Sequence, residues 1–324
     1  MQAKEALIRI LADGKFYSGE ALGEMLGLSR SAVWKHMQSL KDYQLEVHAV
    51  SGKGYRLADP IELLDKNEIL RNMPAFHQFP EIEILLETDS TNRYLLDKGK
   101  VAAQPRIVCF SEYQHSGRGR RGRQWVSPFG SNLYCSVLWQ SMSPLHALSS
   151  IGLVVGIGLC KALASLGLEG QRLKWPNDLY WQDRKMAGIL IEAAGEIAGP
   201  SVMVIGVGLN VRMPSLIERE IDQPWVDLTT ALGRSVPRNK LAGIFLRELL
   251  SNLDLYEKHG FDYFIEQWHQ FDLLRDKSVC VLCGDTSVTG QAEGVDASGA
   301  LLVRHENGKI KRYFSGEVSV RYDV

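Results

Sequence analysis

The sequence predicts an α+β protein of several domains, because the pattern of apolar and polar residues changes twice along its 324 residues. Residues 1–62 are expected to form three short helices followed by a β-hairpin. Residues 63–274 alternate apolar strands with helices, which indicates an α/β domain built on a mixed sheet. Residues 275–324 contain short β-branched runs between turn residues, which predict a small SH3-like β-barrel.

The N-terminal segment carries clear helix signals. Ser18 and Ser29 are N-cap residues for the second and third helices. In the third helix Val33, Met37 and Leu40 recur at i, i+4 and i+7, so we expect them to face the core of this segment.

A hairpin and a connecting helix should follow. Ser51-Gly-Lys-Gly54 is a turn sequence between two short strands. After Pro60 the chain is expected to form a helix over residues 61–70, which leads into the central domain.

The two remaining domains are predicted from strand and helix patterns. The strands expected in the central domain are Ile82–Glu87, Arg106–Glu112, Leu133–Gln140, Asp178–Trp181, Ala187–Ala193 and Val202–Asn210. Its two clearest helices are Leu145–Leu166 and Asn239–Lys258. The strands expected in the C-terminal domain are Ser278–Leu282, Ser287–Gly294, Ala300–Arg304, Ile310–Phe314 and Glu317–Arg321.

Composition narrows the function classes. Apolar residues make up 45% and charged residues 23%, as in ordinary globular proteins. The first ten residues contain three charges, unlike a signal peptide, and the most apolar run, 151–160, is too short to span a bilayer. We therefore expect a cytoplasmic protein without a membrane partner. The net charge is −1, so any contact with nucleic acid requires a local basic surface.

The five cysteines are expected to be buried thiols in a reducing compartment. Cys280 and Cys283 have the spacing of a metal or redox pair. No second Cys or His pair lies near them in sequence, so we predict no metal site formed by protein ligands.

The strongest motif is Gly117-Arg-Gly-Arg-Arg-Gly-Arg123, which formally matches the dinucleotide-binding pattern G-x-G-x-x-G. That pattern requires a helix directly after the glycines and an acidic residue about 20 positions later. Here Ser127-Pro-Phe-Gly130 prevents a helix, and no acidic residue occurs between Arg123 and Glu169. The dinucleotide interpretation therefore fails.

The same segment suits a different ligand. Its four arginines can grip a carboxylate or phosphate in bidentate fashion, and its glycines can expose backbone N–H groups to the same anion. The alternative is a solvated surface turn.

Three further motifs contain residues that could take part in a ligand site. Asp89-Ser-Thr-Asn92 lies between a strand and a helix, where alone it is an ordinary N-cap. Lys174-Trp-Pro-Asn-Asp178 precedes Lys185, which opens an apolar strand. Gly206-Val-Gly-Leu-Asn210 ends a strand and lets a ligand approach the backbone.

These four motifs together resemble those of the biotin protein ligases, and the resemblance extends over nearly the whole chain. With its N-terminal segment, which resembles a winged helix-turn-helix, the chain is similar to the bifunctional ligases that repress biotin biosynthesis genes. The resemblance implies that biotin and ATP, with Mg²⁺, form biotinyl-5′-AMP. It also implies transfer of biotin to a lysine of a biotin carboxyl carrier protein.

The resemblance assigns roles to individual residues. Lys185 and Arg118 are the expected catalytic residues. The residues expected to bind biotin are Ser90, Thr91, Asn92, Gln114, Arg118, Gly119, Arg120 and Lys185. Those expected to bind the nucleotide are Arg121, Asn177, Asp178, Asn210 and Trp225. Residues 213–225 are interpreted either as a surface loop with Trp225 packed on the core, or as a lid with Trp225 stacked on adenine.

The resemblance also implies DNA binding, with biotinyl-5′-AMP as corepressor and a homodimer linked to adenylate binding. The residues expected to contact operator DNA are Ser29, Arg30, Ser31, Trp34, Lys35, Gln38 and Lys53. Residues 1–60 carry eight basic and seven acidic side chains, so charge alone does not establish this role. Two alternatives stay open: a ligand-sensing regulator with an inactive catalytic domain, and a lipoate ligase of related fold.

Overall fold

A computed structural model describes residues 2–73, 80–99, 106–143, 148–194, 201–214, 221–284, 286–316 and 318–322. The N-terminal domain contains three helices and an antiparallel hairpin, as predicted. The helices are α1 (Gln2–Leu11), α2 (Gly19–Leu26) and α3 (Arg30–Ser39), and the hairpin strands are β1 (Val47–Val50) and β2 (Gly54–Leu57).

Local sequence signals explain these boundaries. The Ser18 hydroxyl accepts a hydrogen bond from the Ala21 N–H at 3.0 Å, and the Ser29 hydroxyl caps α3 in the same way. Val33 and Met37 are buried in the core of this domain, as their spacing predicted.

The connecting helix is shorter than predicted. It is α4 (Lys66–Arg71), and the expectation that it begins at residue 61 is wrong. The preceding backbone is engaged elsewhere: the Ile61 N–H donates to the Ala12 carbonyl at 2.9 Å, and the Leu64 N–H donates to the Glu112 carboxylate at 2.5 Å. Asp65 then caps the helix through its side chain, which fixes the start.

The central domain contains a seven-stranded mixed sheet with the order β3-β4-β5-β9-β8-β7-β6. Among the described strands β3 and β4 pair in parallel and the other neighbours pair antiparallel. The bounds are β3 (Glu81–Leu85), β4 (Arg106–Ser111), β5 (Leu133–Ser141), β6 (Gln171–Lys174), β7 (Asp178–Trp181), β8 (Arg184–Ala194) and β9 (Ser201–Leu209). All six predicted strands are present, and β6 was not predicted.

Helices cover both faces of this sheet because successive strand residues point to opposite faces. Ile107 and Cys109 of β4 pack with Leu95 of the first covering helix, whereas Val108 and Phe110 join the main core beneath the long helices. The helices of this domain are α5 (Thr91–Gly99), α6 (Ile151–Ser165), α7 (Leu228–Leu232), α8 (Arg238–His259) and α9 (Ile265–Phe271).

Two of these helices were predicted with their extents. The bounds of α8 agree with the prediction within one residue at each end. Helix α6 runs from Ile151 to Ser165, and residues 145–147 at the start of the predicted helix lie outside the described residues. The described helices include none that is long and apolar enough to cross a bilayer.

The five predicted C-terminal strands are all present and form one antiparallel sheet with the order β13-β12-β11-β10-β14. Their bounds are β10 (Ser278–Cys283), β11 (Thr286–Val295), β12 (Leu301–Arg304), β13 (Ile310–Tyr313) and β14 (Ser319–Tyr322). Cys280 and Cys283 are three positions apart on β10, so their side chains point to opposite faces of the sheet.

All five cysteines are free thiols, and Cys109, Cys135 and Cys160 are buried as predicted, whereas the expectation of burial is wrong for Cys280 and Cys283, which are half-buried on the strand of the small C-terminal sheet. Burial raises the pKa of the Cys109, Cys135 and Cys160 thiols well above the usual range, which keeps them in the unreactive protonated form.

Candidate active site

A cavity of about 270 Å³ lies where the glycine-arginine loop (residues 117–123), strands β8 and β9, and strand β14 of the C-terminal domain meet. Most of the predicted substrate-binding residues line it. These are Ser90, Thr91, Asn92, Gln114, Arg118, Gly119, Arg120, Arg121, Asn177, Asp178 and Lys185.

One end of the cavity is lined by buried, neutral polar side chains at the start of α5. The Gln114 side-chain carbonyl accepts hydrogen bonds from the Thr91 N–H at 3.0 Å and from the Thr91 hydroxyl at 3.2 Å. Its amide nitrogen donates to the Ser127 hydroxyl at 3.0 Å. The Ser136 hydroxyl contacts Asn92 and Thr91 from β5. The network fixes amide and hydroxyl groups in known orientations, which suits a small polar ring such as a cyclic urea.

Lys185 points into the cavity at the start of β8. Its side chain is 13% exposed and its ammonium nitrogen lies 2.9 Å from an Asp178 carboxylate oxygen. The same nitrogen lies 5.7 Å from the centre of the Trp125 ring. The backbone on either side is fixed, because the Lys185 N–H donates to the Pro224 carbonyl at 3.0 Å. Lys185 is therefore held in place and does not extend into solvent.

The glycine-arginine loop packs on the rest of the central domain and on the C-terminal domain. Within it the Gly119 N–H donates to the Arg123 carbonyl at 2.7 Å. Arg120 donates to the Asn177 side-chain carbonyl at 3.1 Å and also to the Ser315 carbonyl, and Arg121 donates to the Ser319 hydroxyl at 2.6 Å.

The remaining arginine with an assigned catalytic role differs from these two. Arg118 is 44% exposed and forms an ion pair with Glu192 at 2.9 Å, so the loop presents it at the open side of the cavity.

The cavity is strongly positive. Among the described residues that line it, seven are basic and Asp178 is acidic. The basic residues are Arg118, Arg120, Arg121, Arg123, Lys174, Lys185 and Arg321. Burial, followed by the charge of Arg121, lowers the pKa of Arg120, and burial also lowers the pKa of Lys174. Both groups are therefore cations held partly out of water, and a bound polyanion would offset the free-energy cost of keeping them charged there.

Two predicted nucleotide-binding residues lie elsewhere. The cavity lining does not include Asn210 or Trp225 among the described residues. The Asn210 amide donates to the Val226 carbonyl at 3.3 Å, and the backbone next to Trp225 pairs with Lys185. Residues 215–220 of the proposed lid lie outside the described residues.

Sequence reasoning missed an aromatic wall of the cavity. Trp125 lies against Gly188 and Gly208, and a Cβ atom at Gly208 would overlap its ring. Its indole N–H is buried and has no hydrogen-bond partner among the described residues, so it is available to a ligand. The signal was in the sequence, because Trp125 directly follows the glycine-arginine loop and glycines occur at two-residue spacing in β9.

The C-terminal domain was also missed as part of the site. Leu282, Ser319 and Arg321 line the cavity although they lie far from the motifs in sequence. Neither their spacing nor their composition distinguishes them from other residues of short strands, so only the packing of the two domains reveals this contribution.

The residues predicted to contact DNA are exposed on one surface of the N-terminal domain. The set comprises Ser29, Arg30, Ser31, Trp34, Lys35, Gln38 and, on the hairpin turn, Lys53. Opposite them Val33 and Met37 are buried, so α3 has the separation of faces that a recognition helix requires.

Comparison with known proteins assigns the chain to a family. The biotin/lipoate A/B protein ligase family matches residues 86–210, an HTH domain family matches residues 4–56, and the biotin protein ligase C-terminal domain family matches residues 276–321. The bifunctional ligase/repressor BirA of Escherichia coli is 42% identical over 97% of this chain and 96% of its own length. The chain belongs to the biotin protein ligase family, as a bifunctional ligase/repressor.

Other members of the family are also similar to this chain over most of its length. The Bacillus subtilis bifunctional ligase/repressor BirA is 28% identical over 95% of each chain. The structure of the Aquifex aeolicus biotin protein ligase in complex with biotin and ATP has a TM-score of 0.66 and 29% identity, and covers 76% of this chain and 100% of that chain. The predicted three-part fold and the predicted family are confirmed.

Proposed function

We propose that the protein condenses biotin with ATP to biotinyl-5′-AMP and pyrophosphate, and then transfers biotin to a lysine of a biotin carboxyl carrier protein. The observation that carries this proposal is the pairing of two environments in one cavity. A neutral, hydrogen-bonded end beside Thr91 and Gln114 suits the biotin ring, and a strongly basic remainder suits a carboxylate and three phosphates. The Aquifex aeolicus relative binds both of these ligands.

In the first step an oxygen of the biotin carboxylate attacks the α-phosphorus of ATP and pyrophosphate leaves. Two anions must approach one another, so the protein's task is to neutralise charge and to fix the geometry. Lys185 is the group that stabilises charge between the carboxylate and the α-phosphate, because its ammonium lines the cavity and is held there by Asp178. Arg118 lies on the loop side and contacts the same two groups.

The nucleotide lies beyond Lys185, toward the junction with the C-terminal domain. Asn177, Asp178 and Arg121 are assigned to it, since they line that part of the cavity. Asn210 and Trp225 remain proposed nucleotide contacts, in the interpretation of residues 213–225 as a lid over the adenylate.

ATP brings Mg²⁺ with it. We assign the ion mainly to phosphate oxygens and water, which is how Mg²⁺ usually accompanies nucleotides. Asp178 is the acidic side chain of the described lining and offers the hard oxygen ligand that this cation prefers.

In the second step the ε-amino group of the carrier lysine attacks the acyl carbon of the mixed anhydride. An amide bond forms, the acyl–phosphate bond breaks, and AMP leaves. The carrier is a biotin carboxyl carrier protein. The open side of the cavity at Arg118 is where its lysine enters.

The N-terminal domain turns the enzyme into a repressor. With biotinyl-5′-AMP bound as corepressor, we propose that two chains form a homodimer and bind biotin operator DNA in the cytoplasm. The dimer supplies two α3 helices for a two-fold-symmetric site. Domains of residues 1–62, 63–274 and 275–324 divide these tasks.

Mass spectrometry tests the chemistry. Purified protein with Mg·ATP and biotin should accumulate biotinyl-5′-AMP without any carrier, and lipoate should give no adenylate. Biotin-dependent adenylate formation excludes both the inactive regulator and the lipoate ligase. Adenylate formed from lipoate alone, or from neither acid, would contradict the proposal.

A gel shift tests the switch. Binding to the protein's own biotin-synthesis promoter should require biotin and ATP together, disappear when apo-carrier consumes the adenylate, and weaken steeply with salt. DNA affinity that does not respond to the adenylate would leave a ligase with an independent DNA-binding domain.

A further inference from the structure

Glu192 is a partly buried acidic residue next to the cavity, and the catalytic scheme above gives it no role. It lies near the end of β8, after the apolar run that begins at Met186. One of its carboxylate oxygens accepts a hydrogen bond from the Asn92 amide nitrogen at 2.9 Å. The other forms the 2.9 Å ion pair with Arg118. A single side chain therefore connects the buried start of α5 with the exposed side of the glycine-arginine loop.

At the Asn92 end, Glu192 fixes the direction of an amide group. The Asn92 side-chain oxygen accepts from the Ser136 hydroxyl at 2.6 Å, while its nitrogen donates to Glu192 and, at 3.2 Å, to the Leu190 carbonyl. An acidic side chain accepts and does not donate, so it holds the nitrogen on its own side. The amide packs directly on the backbone of Gly206, where a Cβ atom would overlap it, so this position of Asn92 requires glycine at 206.

At the Arg118 end, Glu192 restrains a long side chain that is otherwise free to move. Arg118 is 44% exposed, and an exposed arginine has many rotamers to lose when it binds a ligand. An ion pair made in advance with a fixed carboxylate reduces that cost.

We propose that Glu192 is a positioning residue of the biotin site, which orients Asn92 toward the biotin ring and holds Arg118 near the biotin carboxylate. The inference rests on the proposed function, since it takes biotin as the ligand of both residues. Glu192 itself touches neither biotin nor ATP. It acts by fixing the two ends of the biotin site relative to one another.

Steady-state adenylation kinetics separate this role from a general structural one. Glu192→Gln keeps an acceptor for Asn92 and removes the charge that holds Arg118, so we expect the KM for biotin to rise about tenfold. Glu192→Ala removes both contacts and should raise it further. The KM for ATP should change by less than about twofold, because Lys185 and Asn177 are not contacted by Glu192. A structural defect would instead lower kcat through a smaller active fraction and leave both KM values unchanged.

A double-mutant cycle tests the route through Arg118. If Glu192 acts by holding this arginine, Glu192→Gln should have little further effect on the KM for biotin in an Arg118→Ala background. Independent, additive effects would contradict the proposed route.

The chain offers a matched control in Glu83. This carboxylate is 17% exposed, against 19% for Glu192, and pairs with Lys98 on another part of the central domain. Glu83→Gln should leave the KM for biotin unchanged, and the thermal midpoints of both variants are compared. If the wild type forms biotinyl-5′-AMP and Glu192→Gln has an unchanged KM for biotin, the inference is overturned. A wild type that forms no adenylate overturns the proposed function instead.

Discussion

Lys185 illustrates what can and cannot be assigned to a single residue. The residue opens an apolar strand, and the structure holds it by backbone pairing and by the ion pair with Asp178. Its ion pair with Asp178 also means that the ammonium group enters the reaction already desolvated in part, which strengthens its interaction with phosphate. The residue therefore acts through charge at a fixed place.

Lys185→Ala should lower the rate of adenylate formation by about 10²-fold or more, because a preorganised charge contributes mainly to the transition state. Single-turnover measurement at saturating biotin and ATP gives the rate. Lys66→Ala, at the exposed start of α4, is the control and should have no effect. Near-normal adenylation by Lys185→Ala would assign the charge stabilisation to another residue.

Gly208 gives a second test at this scale. The ring of Trp125 lies where a Cβ atom would be, so Gly208→Ala must displace the wall of the cavity. We expect biotin affinity measured by calorimetry to fall by about tenfold or more, together with a loss of stability of about 1–3 kcal/mol for the displaced side chain. Gly316→Ala is the control, because open space surrounds that position. Unchanged affinity in Gly208→Ala would remove Trp125 from the binding site.

Single residues were predictable where a motif also fixes the local backbone. Thr91 and Asn92 follow a strand and begin a helix, so their direction follows from the chain itself. The place of Arg321 depends on how the C-terminal domain packs on the central one, which no local pattern encodes. The placement of Asn210 depends on the turn after β9, where its amide is used by the Val226 carbonyl.

At the scale of elements, the glycine-arginine loop behaves as a bridge. Arg120 bonds both to Asn177 of the central domain and to the Ser315 carbonyl of the C-terminal domain, while Arg121 reaches Ser319 at the start of β14. The loop is thus held at its tip by side chains outside it. Its order is coupled to the packing of the C-terminal domain.

Limited proteolysis checks this coupling. Ser319→Ala removes the acceptor of Arg121, so trypsin should cleave the loop about fivefold faster, as expected for the loss of one exposed hydrogen bond that contributes about 1 kcal/mol. Biotin with ATP should slow cleavage in both proteins. Ser287→Ala, on β11 of the same sheet, serves as the control. Equal cleavage of Ser319→Ala and wild type would mean that the contact does not restrain the loop.

Long elements with regular patterns were predicted well, as α8 and the six strands show. Errors occurred where tertiary contacts override local preference. Residues 61–65 have helical character in sequence, but their N–H groups bond to Ala12 and Glu112, so the helix starts later. Strand β6 has four residues and no alternation of its own, and it exists because β7 pairs with it.

At the scale of the whole molecule, a buried ion pair connects the start of α8, the end of β4 and the segment that follows the N-terminal domain. Arg238 at the start of α8 and Glu112 after β4 lie 2.8 Å apart, with side chains 5% and 3% exposed. Arg238 also donates to the Glu62 carbonyl at 2.6 Å, and Glu112 accepts from the Leu64 N–H. The segment that leaves the N-terminal domain is therefore anchored on a charged pair inside the central domain.

Glu112→Gln should destabilise the protein by about 3 kcal/mol, since it leaves a buried guanidinium without its counter-charge. Urea unfolding followed by tryptophan fluorescence measures the change. Glu248→Gln breaks the more exposed pair with Arg247, and the expected loss there is below about 1 kcal/mol. Equal losses in the two variants would show that burial of the first pair has no energetic consequence.

The N-terminal domain contains one core residue that its own segment does not supply. Phe129, from the central domain, is buried in the same cluster as Leu22 and Val33, and its ring stacks on Tyr43 with centroids 4.9 Å apart. The Tyr43 ring also contacts Tyr113, with centroids 5.3 Å apart, and Tyr113 precedes Gln114 of the proposed biotin site.

The DNA-binding segment therefore does not form a complete folded unit by itself. Residues 1–62 alone would expose the apolar surface on which Phe129 packs. A chain that lacks them would expose Phe129 to water. Exchange of this segment between related proteins requires that position 129 be exchanged with it. The residues that must be exchanged together are thus discontinuous in sequence, and they extend into the catalytic domain close to the proposed ligand site.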